Sequence, residues 1–261
     1  MSNPQTFYKY QGTGNDFILI DDRDQSFECN NAQLIRQLCD RKFGIGADGL
    51  ILLRSSDEAD FRMVYFNADG NESSMCGNGG RCIAYFSNML GYSGPETTFV
   101  AIDGLHKATI SGDIVALLMQ DAGPLEIGDG HCVINTGSPH YVIQKPDLEG
   151  IDIIQEARKV RYSNRFEKEG INVNFLEEKE GVLYVRTYER GVENETLSCG
   201  TGMVAATLYA DALGMGSKTG GYRVNSIGGS VEVSFENKGT SYENIWLKGP
   251  VGFVFKGEIN V

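Results

Sequence analysis

Apolar positions along the chain predict two long buried helices. Residues 81–90 form a nearly uncharged helical run that ends at Gly91, and residues 203–213 form a second run that ends at Gly214. Apolar side chains cover most of the circumference of each run. This pattern is typical of a helix that is enclosed by the protein rather than one that lies on its surface.

Most of the other apolar segments predict short strands. They lie at residues 6–11, 16–21, 50–53, 61–66, 97–102, 107–110, 114–119, 133–135, 141–144, 171–176, 182–188, 230–235, 244–247 and 252–256. Two shorter helices are also predicted, one from a cap at Asn30 or Asn31 through Lys42 and one over residues 151–160. The chain has 33 glycines in 261 residues, roughly twice the usual share, and this excess favours many turns between short strands.

Each buried helix follows a glycine-rich segment with a cysteine, and the two segments are copies of each other. Cys76 and Cys199 lie 123 positions apart. The same shift relates Asn71 to Asn194, Glu72 to Glu195, Ser73 to Thr196, Gly77 to Gly200 and Gly79 to Gly202. A Gly-polar turn lies 61 residues before each cysteine, at Gly14-Asn15 and at Gly137-Ser138. Two motifs in one register indicate an internal duplication.

The duplication predicts an α+β fold with two pseudo-symmetric homologous domains. We expect them to cover residues 1–123 and 124–261, with a seam near Gly123-Pro124 and with the last strand able to pack on the N-terminal half. Each domain is expected to be a curled, mostly antiparallel sheet around one central helix. The active site is expected in the cleft between the two domains.

Composition narrows the possible partners. The net charge of −12 and the pI of about 4.7 disfavour binding to the phosphate backbone of a nucleic acid. No run of about 18 apolar residues predicts a membrane span, and the N-terminus lacks the apolar core of a secretory signal. We therefore expect a cytoplasmic protein whose six cysteines are thiols rather than disulfides.

Two thiols at helix starts suit the inversion of a carbon centre. The positive end of a helix dipole lowers the pKa of a thiol that lies there. If the two helix ends face one cleft, one thiolate can remove a proton from a carbon while the other thiol returns a proton to the opposite face. Backbone N–H groups of Gly77, Asn78 and Gly79 would hold the carboxylate of the substrate. Neither motif contains a lysine for a Schiff base, and we expect no cofactor.

Other interpretations of these residues stay open at this point. Cys76 and Cys199 can form a reversible redox disulfide, or the fold can bind an amino acid without catalysis. Zinc is disfavoured because the chain has no C-x-x-C motif and its three histidines are scattered. The segment Gly44–Gly49 matches a dinucleotide-binding pattern but follows a helix and precedes a strand, so a turn is favoured. The remaining cysteines are interpreted as small buried hydrophobes: Cys29, Cys39, Cys82 and Cys132.

The ordered motifs resemble the diaminopimelate epimerase family over nearly the whole chain. The resemblance is carried by residues 12–17 (GTGNDF), 66–70 (FNADG), 76–79 (CGNG), 139–140 (PH), 189–191 (ERG) and 199–202 (CGTG). Proline racemases share the two-cysteine plan but differ around the cysteines. The resemblance implies a cofactor-independent interconversion of LL- and meso-2,6-diaminopimelate, a step towards lysine and cell-wall peptide, by a homodimer.

The resemblance also implies a role for each matched residue. Cys76 and Cys199 are the acid–base pair, and His140 and Glu189 tune the two thiols. The residues implied in substrate binding are Asn15, Asn67, Gly77, Asn78, Asn172, Glu189, Arg190, Gly200 and Thr201. Two positions depart from the family pattern, since Ser138 stands where an asparagine is common and Gly49 where the family has a substrate-binding glutamine.

Overall fold

The chain folds into two compact units. The computed structural model describes residues 4–73, 75–217 and 220–260. One unit comprises Met1–Leu117 with Gly249–Val261, and the other comprises Leu118–Lys248. The first unit ends a few residues before the predicted seam at Gly123-Pro124, and the last thirteen residues of the chain belong to the N-terminal unit.

Seventeen strands and four helices are formed by the described residues. The elements up to the first boundary are β1 (Pro4–Gly12), β2 (Asn15–Asp21), α1 (Ala32–Cys39), β3 (Gly49–Arg54), β4 (Phe61–Asn67), α2 (Gly77–Met89), β5 (Glu96–Ala101), β6 (Gly104–Ser111) and β7 (Ile114–Leu118). They are followed by β8 (Glu126–Gly128), β9 (His131–Asn135), β10 (Pro139–Gln144), α3 (Ile153–Arg161), β11 (Asn172–Lys179), β12 (Val182–Glu189), β13 (Asn194–Thr196), α4 (Gly200–Ala212), β14 (Tyr222–Ser226), β15 (Gly229–Asn237), β16 (Tyr242–Pro250) and β17 (Gly252–Asn260).

The two units repeat one sheet topology. In the N-terminal unit the strands pair in the order β17-β1-β2-β3-β4-β5-β6-β7, and only β2–β3 and β4–β5 are parallel among the described pairs. In the C-terminal unit the order is β8-β9-β10-β11-β12-β14-β15-β16, again with two parallel pairs, β10–β11 and β12–β14. The short strand β13 adds to β12. The predicted α+β class with mostly antiparallel sheets is confirmed.

A buried helix lies against the sheet of each unit. Helices α2 and α4 each have thirteen residues and begin 123 positions apart, at Gly77 and Gly200. Helix α2 contacts β1, β2, β3 and β6, and α4 contacts β9, β10, β11, β12, β14 and β15. Both helices bury most of their side chains. Because strands pack against several sides of each helix, neither helix has a side that faces solvent along its length, and neither sequence needs a polar stripe.

The smaller helices α1 and α3 cover the outer faces of the sheets. Ile35 and Leu38 of α1 join a core cluster with residues of β1, β2 and β3. Ile153 and Ala157 of α3 occupy the corresponding place against Val173 of β11. Burial of apolar area, at roughly 25 cal/mol per Å², is the main stabilising term in each cluster. Within the described part of the chain, none of the helices has the length and hydropathy that a membrane span requires.

Some predicted boundaries are wrong for local reasons. Helix α1 ends at Cys39 rather than at Lys42, because Asp40 takes an extended backbone and its carboxylate accepts the N–H groups of Lys42 and Phe43. This side chain competes with the helix for the same donors. Helix α2 begins at Gly77, before the predicted residue 81. Strands β8, β13 and β14 were not predicted; β8 and β13 have only three residues each.

Candidate active site

Cys76 is the N-cap residue of α2. Its backbone is extended, with φ −91° and ψ 130°, and its carbonyl accepts the first intrahelical hydrogen bond, from Gly80 N–H at 2.7 Å. The amides of the first helical turn point along the helix axis past this residue. The half-buried thiol therefore lies where the helix dipole favours a negative charge.

Cys199 is the N-cap residue of α4 in the same way. Its backbone is extended, and its carbonyl accepts the N–H of Met203 at 2.9 Å. The thiol is half-buried, and Gly200, the first helical residue, is buried. The sequence-predicted placement of both cysteines at helix starts is confirmed in each unit.

Asn15 presents its amide oxygen to Cys76. Asn15 Nδ2 donates to Asp48 Oδ2 at 2.5 Å, and this fixes the orientation of the amide. Asn15 Oδ1 then accepts from Asn78 Nδ2 at 3.3 Å and from Cys76 Sγ at 3.5 Å. Because an amide oxygen can only accept, the Cys76 thiol is the donor in this contact.

A cluster of charged residues holds Asp48, the hydrogen-bond partner of Asn15, in place. Arg41 binds the carboxylates of both Asp16 and Asp48, and Lys9 binds Asp16 at 2.7 Å. Burial raises the pKa of Asp16, but the hydrogen bonds from Arg41 and Lys9 outweigh it and lower that pKa to about 2. Asp16 therefore stays charged, and the loop that carries Asp48 is held in place.

Arg81 ties the first turn of α2 to the Gly-polar turn before β2. Its guanidinium is completely buried and donates to Asn78 Oδ1 at 3.0 Å and to Thr13 Oγ1 at 3.4 Å. Burial lowers the pKa of Arg81, while the nearby thiols of Cys82 and Cys76 act in the opposite direction. Asn78 is thus oriented by one donor and one acceptor, on Arg81 and Asn15.

His140 lies fully buried between Asn174 and Thr201. Asn174 Nδ2 is 3.0 Å from His140 Nδ1, and His140 Nε2 is 2.9 Å from Thr201 Oγ1. Burial lowers the pKa of His140 to about 3, and the charge of Arg190 acts in the same direction. The imidazole is therefore neutral near pH 7. Thr201 Oγ1 in turn lies 3.5 Å from Cys199 Sγ.

Asn172, Glu189 and Arg190 meet at one end of β11 and β12. Asn172 Nδ2 donates to Ser138 Oγ at 2.9 Å, and Asn172 Oδ1 accepts the backbone N–H of Arg190 at 2.9 Å. Glu189 Oε2 accepts from Thr196 Oγ1 at 3.0 Å. The exposed Arg190 donates to the carbonyl of Glu169 at 3.1 Å. Ser138 is thus joined to this group through Asn172.

Asn67 and Gly49 face each other across β3 and β4. Asn67 is exposed at the end of β4, whereas Gly49 is buried. A Cβ atom at Gly49 would lie 2.5 Å from both the carbonyl oxygen of Phe66 and a ring carbon of Tyr65. The structure therefore leaves no space for the side chain that the family resemblance places at this position.

Sequence reasoning missed two groups of supporting residues. Asn174 and Thr187 pair across β11 and β12 behind His140, and Asp48 stands behind Asn15. The signal for Asn174 is the segment Asn172-Val173-Asn174, where two polar residues two apart point to the same face of an otherwise apolar strand. Asp48 lies in the Gly44–Gly49 segment, which the sequence predicts to be a turn rather than a dinucleotide-binding motif.

The fold belongs to a class of two-domain α+β structures that other solved proteins share. A hydroxyproline epimerase from Agrobacterium vitis with bound trans-4-OH-L-proline superposes with a TM-score of 0.73 at 14% identity, covering 100% of this chain and 94% of that chain. A phenazine biosynthesis protein of the PhzF family from Bacillus anthracis gives a TM-score of 0.72 at 15% identity, covering 99% and 100%. At such low identity these similarities show the fold alone.

Sequence comparison then defines the family. The diaminopimelate epimerase family model matches residues 7–119 and 132–254, once in each half. A diaminopimelate epimerase from Flavobacterium psychrophilum is 50% identical over 254 residues, covering 97% of this chain and 99% of that protein. One from Chlorobaculum tepidum is 40% identical over 261 residues, covering 96% and 99%. The chain belongs to the diaminopimelate epimerase family, a family of isomerases.

Proposed function

We propose that this protein inverts one α-carbon of LL-2,6-diaminopimelate to give the meso isomer, without a cofactor. The observation that carries the proposal is the matched pair of cysteines, each the N-cap residue of a thirteen-residue buried helix in one of two homologous units. A redox protein would account for the pair of cysteines, and an amino-acid-binding protein would account for the helix N-termini. Neither alternative accounts for the match to the diaminopimelate epimerase family over nearly the whole chain.

In the proposed reaction a proton leaves one face of the carbon and another arrives on the opposite face. The thiolate of one cysteine takes the α-hydrogen as a proton, and the bonding electrons stay on the substrate as a carbanion next to the carboxylate. The thiol of the other cysteine gives its proton to the opposite face and becomes a thiolate. One C–H and one S–H bond break and one of each forms, so the reaction balances without an oxidant.

Helix amides are proposed to hold the carboxylate next to the reacting carbon. The first turns of α2 and α4 contribute Gly77, Asn78, Gly200 and Thr201, and no acidic side chain lies in either turn. Amide dipoles that point at a developing negative charge stabilise it most strongly where water is excluded. A further set of polar groups is proposed to bind the rest of the substrate: Asn15, Asn67, Asn172, Glu189 and Arg190.

The experiment is incubation of the reduced protein with LL-2,6-diaminopimelate, followed by chiral chromatography. We expect the meso isomer to accumulate until the two isomers reach equilibrium. L-Proline and trans-4-hydroxy-L-proline serve as comparison substrates and are expected to stay unchanged. Inversion of these imino acids without action on diaminopimelate would assign the protein to the related racemases instead.

Removal of either thiol tests the assignment of the acid–base pair. Cys76→Ser and Cys199→Ser should each lower kcat by about 10²–10⁴-fold, the usual contribution of one acid–base group. Cys132→Ser is the control, because Cys132 is a buried thiol remote from both helix starts in sequence. Unchanged turnover in either variant, with native circular dichroism, would remove that cysteine from the mechanism.

We also propose a cytoplasmic homodimer that supplies lysine and peptidoglycan precursors. Support for association comes from β17, where Phe253, Val254 and Phe255 are between 43% and 53% exposed in succession, since exposed apolar runs of this kind mark contact surfaces. Val254→Glu should shift the protein towards monomer in sedimentation equilibrium, whereas Ile127→Glu, an equally exposed position on β8, should not. A wild-type monomer at micromolar concentration would refute the dimer.

A further inference from the structure

Asn174 is a fully buried amide that the proposed reaction does not use directly. It lies on β11 opposite Thr187 of β12, and its side chain points towards α4. A Cβ atom at Gly202 would lie 2.3 Å from Asn174 Oδ1 and 3.3 Å from the Cβ of Cys199. The second glycine of the Cys199-Gly200-Thr201-Gly202 motif thus lets this amide approach the catalytic helix.

The orientation of the Asn174 amide is fixed by two neighbours. Thr187 Oγ1 donates to Asn174 Oδ1 at 2.9 Å, and the carbonyl oxygen of Tyr141 lies 3.4 Å from Asn174 Nδ2. An amide turned the other way would place Oδ1 against the Tyr141 carbonyl, where two acceptors would repel each other. Asn174 Nδ2 is therefore the group that meets His140 Nδ1, at 3.0 Å.

This orientation determines where the proton of His140 lies. Because Nδ2 donates, His140 Nδ1 must accept, and a neutral imidazole then carries its hydrogen on Nε2. Nε2–H donates to Thr201 Oγ1 at 2.9 Å. The Thr201 hydroxyl hydrogen is left to point elsewhere, and Cys199 Sγ lies 3.5 Å away as an acceptor.

We propose that Asn174, held by Thr187, is a positioning residue that fixes the tautomer of His140 so that the Thr201 hydroxyl donates to the sulfur of Cys199. The inference deepens the proposed function, on which it rests, because it concerns one member of the proposed acid–base pair. The relay passes no proton; it keeps each hydrogen bond pointing towards the sulfur. Its effect is to favour the thiolate form of Cys199, whereas the acceptor oxygen of Asn15 faces Cys76.

Charged groups near the relay do not reverse its direction. Arg190 acts on His140 and disfavours the imidazolium form. Glu189 is held by Thr196 through Oε2. Near the other thiol, the cation of Arg81 is shared by Asn78, Thr13 and the carbonyl of Gly77. His140 therefore donates a hydrogen bond to Thr201 while the imidazole itself stays uncharged.

The first measurement is the tautomer of His140 in the substrate-free protein. Nitrogen-15 chemical shifts distinguish Nε2–H from Nδ1–H imidazole, and the His140→Gln spectrum identifies the signals among the three histidines. We expect the neutral Nε2–H form in the wild type and a mixture of tautomers in Asn174→Leu. A wild-type histidine with its hydrogen on Nδ1 would overturn the proposal.

The second measurement is the pH midpoint of Cys199 alkylation by iodoacetamide, resolved by peptide mass spectrometry. A hydrogen bond to a charged group is worth about 1.5–3 kcal/mol, so Asn174→Leu should slow alkylation below the midpoint by about tenfold. The variant Thr201→Val should do the same, and the double variant should be no slower than Thr201→Val alone. An unchanged midpoint in Asn174→Leu, or additive effects in the double variant, would refute the relay.

A matched threonine pair keeps the test decisive if Asn174→Leu does not fold. Thr187 and Thr207 are both buried in the C-terminal unit, but Thr207 Oγ1 donates only to the Met203 carbonyl among its described contacts. Thr187→Val should raise the alkylation midpoint of Cys199 and Thr207→Val should leave it unchanged; equal shifts would overturn the proposal. Both readouts use free enzyme, so a failure of the proposed substrate assignment would not alter them.

Discussion

At the residue scale, the site depends on polar groups whose protonation is set by burial. His140 is the clearest case, because a completely buried imidazole between an amide and a hydroxyl cannot recover the hydration of a charge. With a pKa of about 3, His140 carries no extra proton near neutral pH and cannot act as a general acid, although its Nε2–H can still donate a hydrogen bond. The family resemblance names this residue as a tuner of a thiol, and the hydrogen bonds supply a physical route to Cys199.

The buried neutral histidine predicts a pH dependence of stability. The unfolded chain binds a proton at His140 below pH about 6.5, while the folded chain does so only near pH 3. The free energy of unfolding should therefore fall as pH decreases from about 6.5 towards 4.5, above the range in which Asp16 titrates. Urea unfolding at several pH values should show a smaller slope in His140→Gln. An identical slope in the two proteins would contradict a neutral His140.

Gly79 and Gly202 hold matched positions in the two cysteine motifs, but substitution by alanine should affect them unequally. A Cβ at Gly202 meets Asn174 Oδ1 at 2.3 Å, whereas a Cβ at Gly79 first meets the flexible end of Ile51 at 3.1 Å. Gly202→Ala should displace Asn174 and lower kcat by about tenfold or more, and Gly79→Ala should change it less. Steady-state kinetics of both variants, with thermal melts as the folding control, test this difference. Equal losses would show that the two glycines serve one common purpose.

At the element scale, the sequence predicts most strands and all four helices because their apolar patterns are local. The central helices were recognisable since each lacks a polar stripe and ends at a glycine. Helix α1 was overextended because the side chain of Asp40 decides its end, and propensity does not register that contact. Strand β13 escaped prediction because Asn194–Thr196 has no apolar pattern and exists only by pairing with β12.

Strand β3 carries a prediction about the position where the family resemblance places glutamine. A side chain at Gly49 has no space between the Phe66 carbonyl and the Tyr65 ring, so Gly49→Ala should lower the free energy of unfolding by about 1–3 kcal/mol. Gly123→Ala is the control, because a Cβ there meets nothing within 4 Å. Urea unfolding measures both. A neutral Gly49→Ala would mean that β4 can shift to admit a side chain, and a substrate-binding residue would then fit there.

At the scale of the whole molecule, the duplication explains why so much could be predicted from one chain. A shift of 123 residues maps α2 onto α4 without any offset, and the parallel strand pairs recur at corresponding places. The roles of Asn174 and Thr187 could not be predicted, because their contacts join residues from separate strands and a helix. The contacts of Ser138 could not be predicted for the same reason, because Asn172 of β11 joins it to Arg190.

The return of the chain to the N-terminal unit predicts a selective effect of truncation. Strand β17 pairs with β1 along most of its length, from Pro4 with Asn260 to Gln11 with Gly252, and Phe255 packs edge-on against Phe7. Removal of residues 252–261 should therefore increase hydrogen exchange in β1 and β2 while β10, β11 and β12 keep their protection. Hydrogen-exchange mass spectrometry measures this, and equal loss in both units would contradict the assignment of β17 to the first.

The central claim is that two thiols act on opposite faces of one carbon, and isotope content at low conversion in heavy water tests it most directly. LL-2,6-diaminopimelate is incubated with the reduced enzyme in deuterium oxide, and both isomers are isolated before a tenth of the substrate has reacted. The account predicts deuterium at the inverted α-carbon of the meso product and none in the recovered LL isomer. A meso product that keeps the substrate's own hydrogen would show that a single group removes and returns the proton, and would contradict the account.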